Sequence, residues 1–159
     1  MMRKIAIIKH AKGAPGLRLL GLGPNLIPRN GLKKLQLLFN QNAFWAKNRH
    51  THQIKKMLRH SSVIVTIWSK ANLIGFGRAT TDKVFRAALW DIVISKKSQR
   101  LGLGKLIIET LLNDKDIKSV ERVYLMTTHG KEFYIQLGFQ ENTQQSLLML
   151  NARSKQIIN

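Results

Sequence analysis

The chain has no cysteine in its 159 residues. That excludes disulfides, cysteine-ligated zinc and thiol nucleophiles together, and it fits a reducing compartment. Acidic residues are missing from the whole first half. None occurs before Asp82, while residues 1–81 carry 15 lysines and arginines. Residues 82–159 add 12 basic and 8 acidic side chains, and the chain totals +19. Such a field attracts nucleic acid, anionic membranes and polyanionic ligands, although codon bias toward Lys, Asn and Ile produces the same excess. Long apolar runs are missing too. Val63-Ile64-Val65-Thr66-Ile67-Trp68 is far too short to span a bilayer, and the N-terminal stretch has no apolar segment long enough for a secretory leader.

What is present suits one compact domain: 44% of the residues are hydrophobic, enough for a core. Residues 1–16 read as a basic tail and Leu17–Leu22 as a first strand. Leu32, Leu35 and Phe39 share one helical face after Asn30-Gly31. Ile54, Met57 and Leu58 form a second short amphipathic face, with Thr51 as N-cap. Ser62–Ser69 and Leu73–Thr81 are β-branched and aromatic, joined by Lys70-Ala71-Asn72, and predict a hairpin. Ala87–Ile94 predicts a third strand that is apolar apart from Asp91. A polar, glycine-bearing joint at Ser95–Gly104 leads into a helix over Lys105–Asn113. A strand at Val123–Thr127, a loop through His129, a short helix at Glu132–Leu137 closed by Gly138, and a strand at Ser146–Leu150 complete an α+β chain with a βαβ unit grafted onto a meander. Residues 151–159 read as a polar tail.

The joint at 94–105 is the most informative segment. A strand ends, and Gln99-Arg100-Leu101-Gly102-Leu103-Gly104 opens a helix. A helix start offers unpaired backbone N–H groups and the positive end of the macrodipole. Gly102 and Gly104 let a diphosphate approach the backbone, and Arg100 and Lys105 add charge. The dinucleotide fingerprint needs a third glycine that is absent. A Walker loop needs a hydroxyl after Gly104-Lys105, where Leu106 stands. The bland alternative is a glycine turn ahead of a surface helix. His50, His52 and His60 lack the carboxylate or cysteine that would complete a metal set, so no metal is expected.

Four blocks in order carry a resemblance: Leu73-Ile74-Gly75-Phe76-Gly77-Arg78-Ala79-Thr80-Thr81-Asp82, then Leu89-Trp90-Asp91-Ile92-Val93-Ile94, then Gln99 to Lys105, then Phe133-Tyr134-Ile135-Gln136-Leu137-Gly138-Phe139. The chain resembles the GCN5-related N-acetyltransferase (GNAT) superfamily, and more narrowly the plastid serotonin (arylalkylamine) N-acetyltransferases with their algal-plastid and cyanobacterial relatives. The resemblance implies a mixed central sheet with helices on both faces, and an acetyltransferase domain over residues 17–150. It also implies acetyl-CoA held between two splayed strands. The backbone of Ile92, Val93 and Ile94 would take the pantetheine amides, the second strand would end at Thr127, and the amides of Gln99, Arg100, Leu101, Gly102, Leu103, Gly104 and Lys105 would take the pyrophosphate.

The implied reaction is direct attack of a primary amine on the thioester. Asp91, the lone acid of an apolar strand, is the candidate base, directly or through water; its alternative is a structural carboxylate paired with Arg78 or Arg86. Tyr134 is the candidate acid for the departing thiolate, its alternative being a core aromatic. The amine is either a small molecule such as serotonin or a protein lysine or N-terminus. The resemblance places the protein in a plastid stroma or a cyanobacterial cytoplasm, as a monomer or homodimer and not at a membrane. A competing reading is a nucleic-acid- or ribosome-binding module on the same fold, using the basic first half with Phe44-Trp45-Ala46-Lys47-Asn48-Arg49 for stacking.

Overall fold

The computed structural model describes residues 4–150. Five strands, β1 (Ile5–Lys9), β2 (Val63–Ser69), β3 (Asn72–Thr81), β4 (Arg86–Ile94) and β5 (Arg122–Tyr124), form one sheet in the order β1-β2-β3-β4-β5. The first four are antiparallel to their neighbours, and β5 lies parallel to β4. The parallel pair needs a crossover, which α4 (Leu103–Leu112) supplies. The remaining helices are α1 (Pro15–Leu20), α2 (Gly31–Asn42), α3 (Thr51–Arg59) and α5 (Lys131–Gln136). The chain divides into two compact units, residues 1–126 and 127–159.

In the first unit the strand period of two sorts the core. Ile64, Trp68, Phe76 and Val93 point to one face and form a buried cluster with Leu17 of α1, Leu35, Leu38 and Phe39 of α2, and Ile54 and Leu58 of α3. Phe39 meets Phe76 edge to face at 5.4 Å. The other face takes α4. Its Ile107 seats over Gly75 and Gly77 of β3, where a Cβ on Gly77 would lie 2.4 Å from Ile107 Cγ2 and 2.9 Å from Ile92 Cδ1. The helix therefore approaches the sheet as far as glycine allows. Gly77→Ala is expected to cost about 1–3 kcal/mol by overpacking, visible as a lowered Tm; an unchanged Tm would show that α4 is not held at this distance.

Three sequence readings of the region before β2 are corrected. The sheet begins at Ile5, inside the stretch read as a tail. β1 is a short edge strand whose Ala6 and Ile8 pack on the core while Ile5 and Ile7 stay exposed. Leu17–Leu22, read as a strand, lies mostly in α1. Pro15 stands in its first turn and Gly21, at φ 63°, closes it by donating to Leu17 O. The N-cap of α3 is His50, not Thr51, and its N–H donates to Gln53 Oε1 at 2.9 Å.

The second unit holds α5, whose Tyr134 packs edge to face on Phe133 and Phe139. Gly138, at φ 95°, follows the helix as expected. Residues 146–150 are not in a strand, contrary to the pattern, and their leucines are exposed. The segment 151–159 lies outside the described residues.

Candidate active site

β3 and β4 do not run in simple register. Arg78 faces Trp90 and Phe76 faces Val93, so Asp91 and Ile92 together oppose the single residue Gly77. Asp91 absorbs the extra length at φ 53°. Its short polar side chain makes it one of the few residue types that tolerate that left-handed conformation. The bulge turns the Asp91 side chain toward the α2–α3 side of the sheet. β4 and β5 pair only at Arg86↔Arg122, Ala87↔Val123 and Ala88↔Tyr124, all before the bulge.

From Leu89 to Ile94 the edge of β4 that faces β5 has no strand partner among the described residues. Val93 is paired with Phe76, and Ser95 N donates to Ile74 O at 2.8 Å, so Val93 spends its backbone groups on β3. Alternation then turns those of Ile92 and Ile94 to the open edge. Of the three residues expected to hold an extended amide chain, Ile92 and Ile94 turn their backbone groups to the open edge, and Val93 turns its groups to β3.

The open edge leads into the helix start. Asn42 Oδ1 at the end of α2 accepts from Lys96 N at 2.8 Å, and Gln99 Nε2 reaches back to Ile94 O at 3.3 Å. Arg100 and Gly102 both adopt positive φ, 62° and 75°. A Cβ on Gly102 would meet nothing within 4 Å, so the glycine fronts open space. No side chain caps α4 and its first turn holds no acid. The amides of Leu103, Gly104 and Lys105 are thus uncapped at the positive pole of a ten-residue helix, and the Arg100 and Lys105 side chains stand nearby in sequence. These features fit an anionic diphosphate followed by an amide-bearing arm. A hollow of about 600 Å³ lined by Thr80, Ala87, Ala88 and Tyr124 among others lies at the opposite end of β4 and shares none of them.

The family model for the acetyltransferase (GNAT) domain matches residues 60–141, which contain the bulge, the open edge, the glycine loop, α4 and Tyr134. The chain belongs to the GNAT acetyltransferase family. An uncharacterized N-acetyltransferase, ycf52, of Porphyra purpurea is 36% identical over 100 residues, covering 60% of this chain and 57% of that protein. The chloroplastic serotonin N-acetyltransferase 2 of Oryza sativa subsp. japonica is 34% identical over 96 residues, covering 57% of this chain and 48% of that one. The chain spans about half the length of the curated relatives it matches. A probable acetyltransferase of Staphylococcus aureus superposes with a TM-score of 0.70 at 20% identity, over 93% of this chain and 98% of that one, which establishes the fold.

Within this GNAT domain Asp91 is not the isolated acid that its apolar strand suggests. Its side chain is only 6% exposed, and both oxygens are engaged. Oδ2 accepts from Arg78 Nε at 2.8 Å; Oδ1 accepts from Arg49 Nη1 at 3.1 Å and Trp45 Nε1 at 3.3 Å. The ion-pair alternative holds for Arg78, whereas Arg86 pairs with Glu121 at 3.1 Å. Arg49 was not legible as a site residue. It lies in a loop 42 positions before Asp91, and no short-range pattern links the two. Tyr134, in the second unit, is partly buried, and that burial pushes its hydroxyl above the usual pKa of 10. Beside it Thr127 Oγ1 accepts from Gly130 N at 2.9 Å, which packs the 127–130 turn under the Tyr134 ring. Among the described residues no three histidines or carboxylates cluster as metal ligands, and no helix is long and apolar enough to cross a membrane.

Proposed function

We propose that this protein transfers an acetyl group from acetyl-CoA to a primary amine by direct attack on the thioester. The observation that carries this reading is the continuity of the open β4 edge at Ile92 and Ile94 with the uncapped start of α4 at Gly102–Lys105. In it, the α4 amides and Gln99–Lys105 hold the pyrophosphate, and the edge of β4 pairs with the pantetheine arm. A backbone N–H beside the bulge polarises the thioester carbonyl. The second strand, β5, ends at Tyr124, short of the expected Thr127.

Tyr134 protonates the leaving thiolate. Its hydroxyl, whose pKa burial raises, carries the proton that the thiolate takes up. Asp91 acts as a positioning residue. With three donors already on its oxygens it holds Arg49, Arg78 and the bulge, and the amine loses its proton to solvent. The relatives support a plastid or cyanobacterial-type setting. Serotonin, from the rice relative's name, belongs in the acceptor panel with protein lysines and N-termini.

The test is an acetylation assay with acetyl-CoA against such a panel. Tyr134→Phe is expected to lower kcat about 100-fold with the KM for acetyl-CoA little changed; full turnover in that variant would remove the acid role. A second reading, nucleic-acid binding, is favoured by the exposure of Phe44 and Trp45 beside Lys47 and Arg49. It requires RNA or DNA affinity that falls steeply with salt.

A further inference from the structure

The cluster around Asp91 does not balance in charge. One carboxylate meets two guanidiniums, Arg49 and Arg78, leaving one positive charge at the bulge. The two arginines are not equivalent. Arg78 is 16% exposed, lies over the Trp90 ring at 5.8 Å, and directs Nη1 to Ser61 Oγ at 3.4 Å. Arg49 is 30% exposed and stands over the buried Phe39 ring at 5.3 Å. Only its Nη1 is engaged, by Asp91 and by Met57 Sδ. Its Nε and Nη2 have no hydrogen-bond partner among the described residues. Asp91 and Phe39 thus hold a guanidinium firmly with one edge free.

The position of that edge matters if the acetyltransferase reading above is right, and this inference rests on it. Acetyl-CoA anchored at Gly102–Lys105 runs back along β4 past Ile94 and Ile92, so its acetyl group arrives at the bulge. Arg49 reaches the bulge from the α2–α3 side, through the loop before α3. The incoming amine must therefore approach beside Arg49, in a half of the chain with no carboxylate before Asp82 to attract a cation. Asp91 itself is already spent on arginines. Such a wall repels polyamines and basic peptide tails, and its free fork of N–H donors matches a carboxylate. We propose that the acceptor is a primary amine bearing a carboxylate close to the amino group, such as a free amino acid or an acidic peptide N-terminus, and that Arg49 reads that carboxylate.

The experiment uses paired acceptors that differ by a carboxylate-bearing group: tryptamine against tryptophan, and an N-terminal Gly-Gly peptide against Asp-Gly. Kinetics are run for the wild type and Arg49→Gln, with acetyl-CoA binding measured on both by calorimetry. The wild type is expected to favour the carboxylate-bearing member of each pair at least tenfold in kcat/KM. Arg49→Gln should collapse that ratio through KM while still binding acetyl-CoA. Equal or reversed preference in the wild type, or an unchanged ratio in Arg49→Gln, overturns the proposal. Loss of acetyl-CoA binding by the wild type would instead bring down the parent reading, and this one with it. If acetyl-CoA binds but no amine turns over, titrating N-acetyltryptophan into the CoA complex decides: binding that Arg49→Gln weakens tenfold upholds the carboxylate site, and no such difference refutes it.

Discussion

Asp91→Asn is expected to destabilise the fold by about 2–3 kcal/mol, because it leaves Arg49 and Arg78 without the anion that offsets their partial burial. Asparagine separates charge from conformation. Like aspartate it tolerates the φ of 53° at this position, so the bulge itself is kept. Asp91→Ala should therefore be worse, by about 1 kcal/mol more, since it adds the left-handed strain to the loss of the carboxylate. Removing one arginine as well should recover part of the deficit, and the coupling in an Arg78→Gln, Asp91→Asn double-mutant cycle measures the pair directly. Denaturant melts of the four proteins check this. Additive effects would mean that the ion pair contributes nothing. In the assay, Asp91→Asn should raise KM for the amine more than it lowers kcat. A 100-fold fall in kcat with loss of the acidic limb of the pH profile would restore Asp91 as the base.

The second large effect is a dependence of stability on pH set by His10. This histidine follows β1 and is partly buried, with Nε2 2.7 Å from Thr66 Oγ1. Thr66 is fully buried, accepts from Trp68 Nε1 at 2.9 Å and shares its other side-chain hydrogen bond with His10. Burial lowers the His10 pKa from 6.5 to about 4. The folded protein keeps the ring neutral while the unfolded chain takes up a proton below pH 6.5. Stability is complete above that value, declines as pH falls, and levels off once the folded state is protonated too, near pH 4. The whole window is worth about 3 kcal/mol, at ~1.4 kcal/mol per pH unit. Denaturant melts at pH 7 and pH 5 should differ by about 2 kcal/mol from this group. His10→Gln should flatten that part of the profile, and an unchanged slope in the variant would assign the acid sensitivity elsewhere.

These two sites mark where the sequence was readable and where it was not. The β2–β3 hairpin, the body of β4 and the start of α4 are legible because period, β-branching and glycine placement agree over eight or more residues. β1 is five residues on a sheet edge, half exposed, within a basic stretch, so neither period nor composition separates it from a tail. α1 has the leucines of a strand, and Pro15 and Gly21 decide otherwise. Asp91 was visible as an anomaly, an acid in an apolar strand. Its meaning lay in the bulge, and aspartate in a strand was a clue to positive φ as much as to acid–base chemistry. Arg49 and Thr66 owe their roles to partners 42 and 56 residues away, which no local pattern reports. The family match begins at residue 60, so the elements that bring Arg49 to the bulge lie outside it.

The central claim is that the open edge of β4 and the start of α4 together bind acetyl-CoA. Calorimetric titration of acetyl-CoA into the wild type and into Gly102→Val tests it most directly. The valine puts a branched side chain into the open space before the α4 amides and strains the φ of 75°. One acetyl-CoA per chain is predicted for the wild type, with affinity at least tenfold weaker for Gly102→Val. No heat and no thermal shift from the wild type at millimolar acetyl-CoA, or equal affinity in the two proteins, would contradict the account.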